Sequence, residues 1–319
     1  MRQGRYRVRT PDQEVFVPVH QVTSIHLHRA TRLSYDVVAT ALEHQTDILF
    51  VDRRGFPIGR LWGHQFGSIS SIRKNQLVFA GTSGGLEWVR GQLLRKADGQ
   101  QAVLELAALL RAQDGREVLR RHATYRDRLR QHALTERTET LASFRGYEGL
   151  MSRAYFGALG AWLPAPYQFS GRSRQPATDA FNCLLNYAYG MLYGQCESAL
   201  IRAGLDPFIG ILHRDEYNRP VLVYDFIEAY RHWADYVVVH LCVQEVVVDE
   251  FFDVQQGQYW LDTIGKRILI QSLNDYLAEL VTLEGLSRSR LTHLELDAQR
   301  LASHLKKLAS PDVGTDVSP

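Results

Sequence analysis

The chain has 319 residues, 45% hydrophobic and 23% charged, a globular composition that excludes an intrinsically disordered protein. Its three cysteines (Cys183, Cys196 and Cys242) form no CxxC pair, which excludes a disulfide framework or zinc ribbon and favours a reducing cytosol. The opening MRQGRYRVRT lacks the apolar core of a signal peptide, and no window approaches about 18 consecutive apolar residues. We therefore expect a cytoplasmic protein that is not secreted and has no membrane partner.

The net charge of +2 conceals a gradient along the chain. Residues 1–134 carry 21 Lys and Arg against 12 Asp and Glu, a net +9. Residues 135–242 have a net charge of −2, and residues 243–319 one of −5. Such a gradient fits a surface that binds polyanions, and it equally fits a merely uneven charge distribution.

The first eighty residues favour β structure, because short apolar segments alternate there with turn residues. One helix is predicted over Ser34–His44 with Ser34 as N-cap, and Arg53-Arg54-Gly55 is typical of a hairpin turn. The glycine-rich stretch Gly81–Gly85 ends the pattern, so we predict a small β-rich N-terminal domain over residues 1–85. The predicted strands are Glu14–Val19, Ser24–Leu27, Asp47–Asp52, Pro57–Leu61 and Gln76–Ala80.

Apolar residues at helical spacing dominate the rest of the chain and predict a larger all-α domain over residues 86–309, hence an α+β fold class. Three prolines make residues 162–178 a connector, and residues 310–319 are predicted to be a disordered tail. Asp179 or Thr178 can cap the fifth helix, and Gly204 suits its left-handed end. The predicted helices are Leu86–Lys96, Gln101–Ala112, Gly115–Leu129, Thr135–Leu163, Thr178–Ala203 and Pro220–Val248.

The sequence Gly81-Thr82-Ser83-Gly84-Gly85 matches the GxSxG nucleophile elbow of serine hydrolases, and it lies between a predicted strand and a predicted helix. That fold needs further parallel strands after the elbow to carry its Asp and His. Because nearly everything downstream is predicted to be helical, we favour a flexible linker between the domains.

Glu148 lies in FRGYEGLMSRAYFGAL, on a predicted helix with Met151 and Tyr155 on nearby faces. A carboxylate among such neighbours loses hydration, which is unfavourable unless a cation compensates. The simpler alternative is an ion pair with Arg145 or Arg153.

His213 ends the run GLDPFIGILH, and Asp225 and Glu228 follow three residues apart on one helical face. Two such carboxylates repel unless they are protonated, salt-bridged or bridged by a metal. One imidazole with carboxylate oxygens suits Mg²⁺ or Mn²⁺. A lone histidine at such a position is more often structural, so this alternative stays open.

The loop Gly171-Arg172-Ser173-Arg174 offers two guanidinium groups that can reach phosphates, or that are simply solvated. The helix after it has a polar stripe that fits either a cleft or a helix interface. The stripe comprises Asn182, Asn186, Tyr189 and Tyr193.

The block RQPATDAFNCLLNYAYGMLYGQCESALIRAGLDPFIGILHRDEYNRPVLVYDFIEAYR, with FRGYEGLMSRAYFGAL upstream, resembles the CRISPR-associated adaptation integrase and endonuclease family, the first numbered Cas protein. Four motifs carry this resemblance, in chain order: the YEG helix, the N-x3-NY-x-Y helix, the GLDPxxGxLH turn and the RPxLxxDxxE helix. The N-terminal ninety residues resemble the family only in architecture.

The resemblance implies a metal-dependent DNA integrase that inserts short foreign DNA fragments into a CRISPR array, the 3′-hydroxyl of the fragment attacking a phosphodiester. It assigns Mg²⁺ or Mn²⁺ to Glu148, His213 and Glu228, and a supporting catalytic role to Asp225. Glu228 stands where relatives often have Asp. Arg172 and Arg174 match a loop near the DNA backbone, and Asn182 an asparagine close to the site.

The resemblance also implies partners: double-stranded DNA as prespacer and CRISPR repeat, a second copy of the chain joined through the β-rich domain, and the small second Cas protein. Two other functions stay open. One is a catalytically silent DNA-binding scaffold of the same fold, and the other is a serine hydrolase using Ser83.

Overall fold

The structure is a computed structural model that describes residues 4–10, 13–61, 70–174, 176–214, 217 and 219–308. The chain divides into two compact units, Met1–Phe66 and Gly67–Pro319, whereas the boundary predicted from sequence lay at Gly81–Gly85. The predicted tail, residues 310–319, lies outside the described residues. Within the described ranges, no helix is long and apolar enough to cross a membrane.

The first unit contains a two-stranded antiparallel hairpin (β1–β2) and a three-stranded sheet of order β3–β4–β5. Strands β3 and β4 pair in parallel, so the chain between them must cross over, and helix α1 forms that connection. Leu27, Ala41 and Ile48 form its apolar core. The elements are β1 (Arg5–Arg9), β2 (Glu14–Pro18), β3 (Ser24–Leu27), α1 (Tyr35–Glu43), β4 (Asp47–Val51) and β5 (Pro57–Leu61).

The hairpin turn between β4 and β5 is confirmed. Gly55 has a φ of 75°, a conformation that glycine adopts without steric cost. The Asp52 carboxylate accepts hydrogen bonds from the backbone N–H of Arg54 at 2.8 Å and of Phe56 at 3.0 Å. The turn therefore fixes the antiparallel pairing of β4 with β5.

The second unit is mostly helical, as predicted, but it is not all-α. Two antiparallel hairpins, β6–β7 and β8–β9, interrupt its C-terminal helices. The elements are α2 (Ser70–Ala80), α3 (Ser83–Leu110), α4 (Arg116–Gln131), α5 (Arg137–Trp162), α6 (Ala180–Arg202), α7 (Val221–Ile227), α8 (Arg231–Val243), β6 (Phe252–Gln255), β7 (Gln258–Leu261), α9 (Thr263–Ala278), β8 (Leu280–Leu283), β9 (Leu286–Ser289) and α10 (Arg290–Lys307).

The predicted strand Gln76–Ala80 is wrong, because these residues end helix α2. Asn75 and Gln76 are buried on that helix and use their amides for tertiary contacts. Asn75 donates to the carbonyl oxygens of Leu305 and Leu308, and Gln76 donates to Asp206 and Ile209. These contacts join α2 to distant parts of the second unit.

The Gly81–Gly85 stretch is neither an elbow nor a linker between the units. Helix α2 precedes it instead of a strand, and Ser83 is the first residue of α3. Thr82 caps α3 by accepting a hydrogen bond from the backbone N–H of Gly85 at 3.2 Å. Because a nucleophile elbow requires a strand before its serine, the Gly81–Gly85 stretch gives no support to a serine hydrolase using Ser83.

Helix α6 lies at the centre of the second unit and is buried along most of its length. Both of its predicted ends are confirmed. The Asp179 carboxylate accepts from the backbone N–H of Asn182 at 2.7 Å, and Gly204 has a φ of 84° after the last turn. The neighbouring helices α7, α8 and α10 pack against α6.

Candidate active site

Glu148 and Glu228 lie together in the folded chain. Glu148 lies in the middle of α5, and Glu228 begins a short 3-10 turn between α7 and α8. The Nζ atom of Lys96, on α3, donates a short hydrogen bond to Glu148 Oε1 and another, of 2.6 Å, to Glu228 Oε2. Three separate elements thus place two carboxylates around one ammonium group.

Two of these three side chains, Lys96 and Glu228, are buried, and a buried charge is unfavourable unless an opposite charge compensates it. Lys96 and Glu228 are each 5% exposed. Burial by itself would raise the pKa of Glu228, but Arg231 and Lys96 outweigh it and hold that pKa below its usual range. Burial would likewise lower the pKa of Lys96, yet the two carboxylates raise it, so the ammonium stays protonated.

Further donors fix each carboxylate. Arg231 Nε donates to Glu228 Oε1 at 2.8 Å, and Ser152 Oγ donates to Glu148 Oε1 at 2.7 Å. Burial would raise the pKa of Glu148, but Lys96 and Ser152 lower it below its usual range despite the nearby Glu228. Both carboxylates are therefore ionised at neutral pH, as ligands of a cation must be.

Asp225 is 1% exposed and holds the segment that carries His213. Its carboxylate accepts hydrogen bonds from the backbone N–H groups of Ile211, Leu212 and His213. Gly210 lets this segment approach α7, since a Cβ there would lie 3.0 Å from Asp225 Oδ2. The loop before His213 is thus fixed on the N-terminal part of α7.

Asp225 also orients the His213 ring, since Asp225 Oδ1 lies 2.6 Å from His213 Nδ1. A carboxylate accepts, so Nδ1 carries the hydrogen, and in the neutral imidazole the lone pair then lies on Nε2, where a metal can bind. The side chain of His213 is 39% exposed, so ligands can reach it from solvent. The supporting catalytic role of Asp225 stays a prediction, and this contact is its structural basis.

The three predicted metal ligands are only partly assembled. Within the described ranges, no group of three His, Cys, Asp or Glu side chains is close enough to hold a metal ion. The donor set nevertheless fits a hard divalent cation, because two ionised carboxylates already surround one cation and His213 is held in the metal-binding tautomer. Lys96 occupies the position between the carboxylates.

The residues predicted to contact DNA differ in environment. Arg174 is exposed, and its backbone carbonyl accepts from Asn186 Nδ2 at 2.9 Å. Asn182 is fully buried and donates to the carbonyl oxygen of Gly171 at 2.9 Å. It therefore ties the 171–174 loop to α6.

Arg172 is directed inwards. Its guanidinium donates to Asn182 and to Asn186 Oδ1, and it lies over the rings of Phe156 and Tyr189, 5.3 and 5.6 Å from their centroids. The DNA contact of Arg172 stays a prediction; the structure adds that this side chain holds its own loop in place.

Sequence reasoning missed Lys96, Arg231 and a further buried acid, Asp235. Asp235 Oδ1 accepts from Tyr189 at 2.6 Å, and Oδ2 accepts from Tyr155 at 3.0 Å. Lys96 could have been noticed, because it interrupts the apolar stripe on α3 formed by Val89, Leu93 and Val103, all of them buried. A lysine in such a stripe must find a buried anion.

The fold and the site define a two-unit protein whose helical unit carries an acidic centre with an oriented histidine. Residues 1–275 match the family model described as CRISPR associated protein Cas1. The chain is 31% identical over 308 residues to CRISPR-associated endonuclease Cas1 1 of Thermus thermophilus, covering 96% of this chain and 92% of that protein. The chain belongs to the Cas1 family.

Solved structures agree on the fold. A casposase bound to integration product aligns with a TM-score of 0.79 and 19% identity over 96% of this chain and 86% of that one. A Cas6-RT-Cas1–Cas2 complex aligns with a TM-score of 0.77 and 21% identity over 99% of this chain and 34% of that one. At these identities the likeness shows the fold alone.

Proposed function

We propose that this protein is a metal-dependent DNA integrase and endonuclease that inserts short foreign DNA fragments into a CRISPR array. The observation that carries the proposal is the meeting of Glu148 and Glu228 around one cation, beside a histidine that Asp225 orients, in a chain of the Cas1 family. The relative from Thermus thermophilus is named an endonuclease, which supports phosphodiester chemistry.

Glu148, Glu228 and Nε2 of His213 would hold Mg²⁺ or Mn²⁺. When bound, such an ion polarises a phosphoryl oxygen and stabilises charge on the attacking and leaving oxygens. The 3′-hydroxyl of the fragment attacks a phosphodiester of the repeat, and the attacked strand leaves with its own 3′-hydroxyl. With water as the attacking group, the same site nicks DNA.

The residues around the ligands have separate tasks in this proposal. Asp225 keeps the proton on His213 Nδ1, so the imidazole coordinates without acting as a base. Arg231 stays on Glu228 Oε1 and keeps that carboxylate ionised. Arg174 contacts a DNA phosphate, while Arg172 and Asn182 maintain the loop that presents it.

The partners follow from the family. The casposase neighbour is bound to integration product and the other neighbour is a complex with Cas2, which supports double-stranded DNA and a small Cas2-type protein as partners here. We propose that the chain acts in the cytosol as a homodimer joined through its first unit.

The test is strand transfer of a 3′-hydroxyl oligonucleotide into repeat DNA with Mn²⁺ and the Cas2-type partner supplied. Glu148→Ala should abolish transfer, by on the order of a hundredfold or more, because a ligand of the metal is lost. Glu139→Ala, on the exposed first turn of the same helix, should retain wild-type transfer. An inactive wild type, or an active Glu148→Ala, would instead indicate a silent DNA-binding scaffold.

A further inference from the structure

We propose that Lys96 is the resident counter-cation of the candidate active site. Its ammonium holds Glu148 and Glu228 together in the metal-free protein, and a divalent ion binds by displacing it. The inference rests on the proposed function, and it concerns a residue outside the ligand set.

The first support is geometric. Lys96 Nζ donates to both carboxylates at once and lies at the point where their oxygens converge. Its side chain is 6% exposed, as is that of Glu228. A metal ion bound by oxygens of both carboxylates would occupy the same region, so ammonium and ion compete for one place.

The second support is charge. Glu148 and Glu228 carry two negative charges, and Lys96 and Arg231 carry two positive ones, so the four groups, of which Lys96 and Glu228 are buried, are balanced without a metal. A divalent ion added beside an unmoved ammonium would leave an excess of two positive charges in a region with little water. Like charges repel strongly there, so the ion gains its site only when the ammonium moves away.

The third support is mobility. Lysine has a long flexible stem, so Lys96 can withdraw its ammonium without moving α3. Arg231 donates to the other oxygen of Glu228, and it can stay there while Oε2 turns to a metal. The two cations thus have different roles. Arg231 stays bound to Glu228 when the metal binds, whereas the Lys96 ammonium is displaced.

The alternative is a permanent ion pair in which Lys96 only positions the carboxylates. The two ideas predict opposite signs. If Lys96 gives way, removing its charge strengthens metal binding, whereas if it only positions the carboxylates, removal weakens it. The test therefore measures Mn²⁺ affinity and thermal unfolding, which do not depend on turnover.

Lys96→Met should bind Mn²⁺ on the order of tenfold more tightly than wild type, because no ammonium must leave. In EDTA its Tm should fall by several degrees, because two buried carboxylates lose their shared cation. Added Mn²⁺ should therefore raise its Tm by more than it raises that of wild type. Calorimetric titration and unfolding with and without Mn²⁺ measure these effects.

A second variant keeps the inference testable if Lys96→Met does not fold. Lys96→Arg retains the positive charge, and its planar guanidinium can donate hydrogen bonds to both carboxylates at once. Because this side chain is displaced less easily than lysine, the Mn²⁺ affinity of the variant should fall below that of wild type. Arg95→Met is the matched control. This neighbouring cation on α3 pairs with Asp297 at 2.7 Å, so its removal should leave Mn²⁺ affinity unchanged.

The outcomes separate this inference from the proposed function. Wild type that binds Mn²⁺ no better than Glu148→Gln would refute the metal site itself. If wild type binds through Glu148, but Lys96→Met binds Mn²⁺ equally or more weakly, only the displacement of Lys96 is refuted. Equal gains in Mn²⁺ affinity for Lys96→Met and Arg95→Met would show that losing any nearby positive charge strengthens metal binding. That result would also refute the displacement of Lys96.

Discussion

Glu228 and Asp235 are two buried carboxylates near the candidate active site whose pKa values shift in opposite directions. Glu228 contacts two cations, which keep it ionised. Asp235 accepts its hydrogen bonds from two neutral tyrosine hydroxyls. Burial therefore prevails at Asp235 and raises its pKa to about 6, although the two hydroxyls oppose the shift.

Asp235 should make the protein less stable as the pH rises. Its pKa in the folded protein, about 6, exceeds the ordinary aspartate pKa of 3.8. Protonated Asp235 therefore contributes its full stabilisation below pH 3.8, and this contribution is lost as the pH rises through 6. Between about pH 4.5 and 7, wild type should lose roughly 2 kcal/mol of unfolding free energy relative to Asp235→Asn.

Urea unfolding of the two proteins across that pH range measures the difference. Asp253→Asn, an exposed aspartate on β6, is the control, and its difference from wild type should not follow this course. A difference between wild type and Asp235→Asn that is independent of pH would show that Asp235 titrates alike in the folded and unfolded chain.

The residue types of the proposed ligands could be predicted from local sequence, but the charges that balance them could not. Lys96 is 52 residues from Glu148 and 132 from Glu228, and only tertiary packing brings them together. The sequence around Arg172 left open whether its guanidinium reaches phosphates or is simply solvated, and in the structure the guanidinium is directed inwards between Phe156 and Tyr189. A local pattern gives the residue type, whereas the direction of the side chain depends on distant rings and amides.

At the scale of elements, errors occurred where tertiary contacts override local preference. The short run QLVFA predicted a strand, since its four apolar residues do not distinguish a strand from a buried helix. Strand β1 was missed because only two apolar residues, Tyr6 and Val8, alternate with its three arginines. The turns of the hairpins β6–β7 and β8–β9 are Gln256-Gly257 and Glu284-Gly285, all with positive φ, a weaker signal than Asn-Gly.

Gly99 explains why α3 was predicted as two helices. Glycine is unfavourable in the interior of a helix, and it lies between the two helices that the sequence predicted, Leu86–Lys96 and Gln101–Ala112. In the structure, α3 nevertheless continues unbroken over Ser83–Leu110. The absence of a side chain is what the packing needs, because a Cβ at Gly99 would lie 2.1 Å from the buried ring of His232 on α8. Helix α8 therefore approaches α3 closely just after Glu228 and Arg231.

Gly99→Ala should destabilise the second unit by roughly 1–3 kcal/mol, because the His232 ring must shift in a packed interior. Gly91→Ala, in the same helix, should instead stabilise it by roughly 0.5–1 kcal/mol, because alanine favours a helix and a Cβ there meets nothing within 4 Å. Thermal and urea unfolding measure both. Equal effects of the two substitutions would mean that α8 does not pack on Gly99.

At the scale of the whole molecule, binding and chemistry should depend on different residues. The excess of positive charge lies in residues 1–134, whereas the proposed ligands lie between residues 148 and 228. Phosphate contacts spread over a large surface do not need the metal, and each adds to the salt dependence of binding. EDTA should therefore abolish strand transfer while most of the affinity for DNA remains.

Arg174→Ala should weaken DNA binding and reduce the slope of log affinity against log salt by about one, because one phosphate contact is lost. Arg300→Ala removes an exposed arginine from the acidic end of the chain, where it pairs with Glu284 and Asp297, and should leave that slope unchanged. Titrations of labelled repeat DNA at several salt concentrations, with EDTA and with Mn²⁺, measure both slopes. An unchanged slope for Arg174→Ala would place the 171–174 loop away from DNA. Loss of DNA binding in EDTA would show that the metal is part of the DNA-binding surface, because the phosphate contacts alone would then be too weak to hold the DNA.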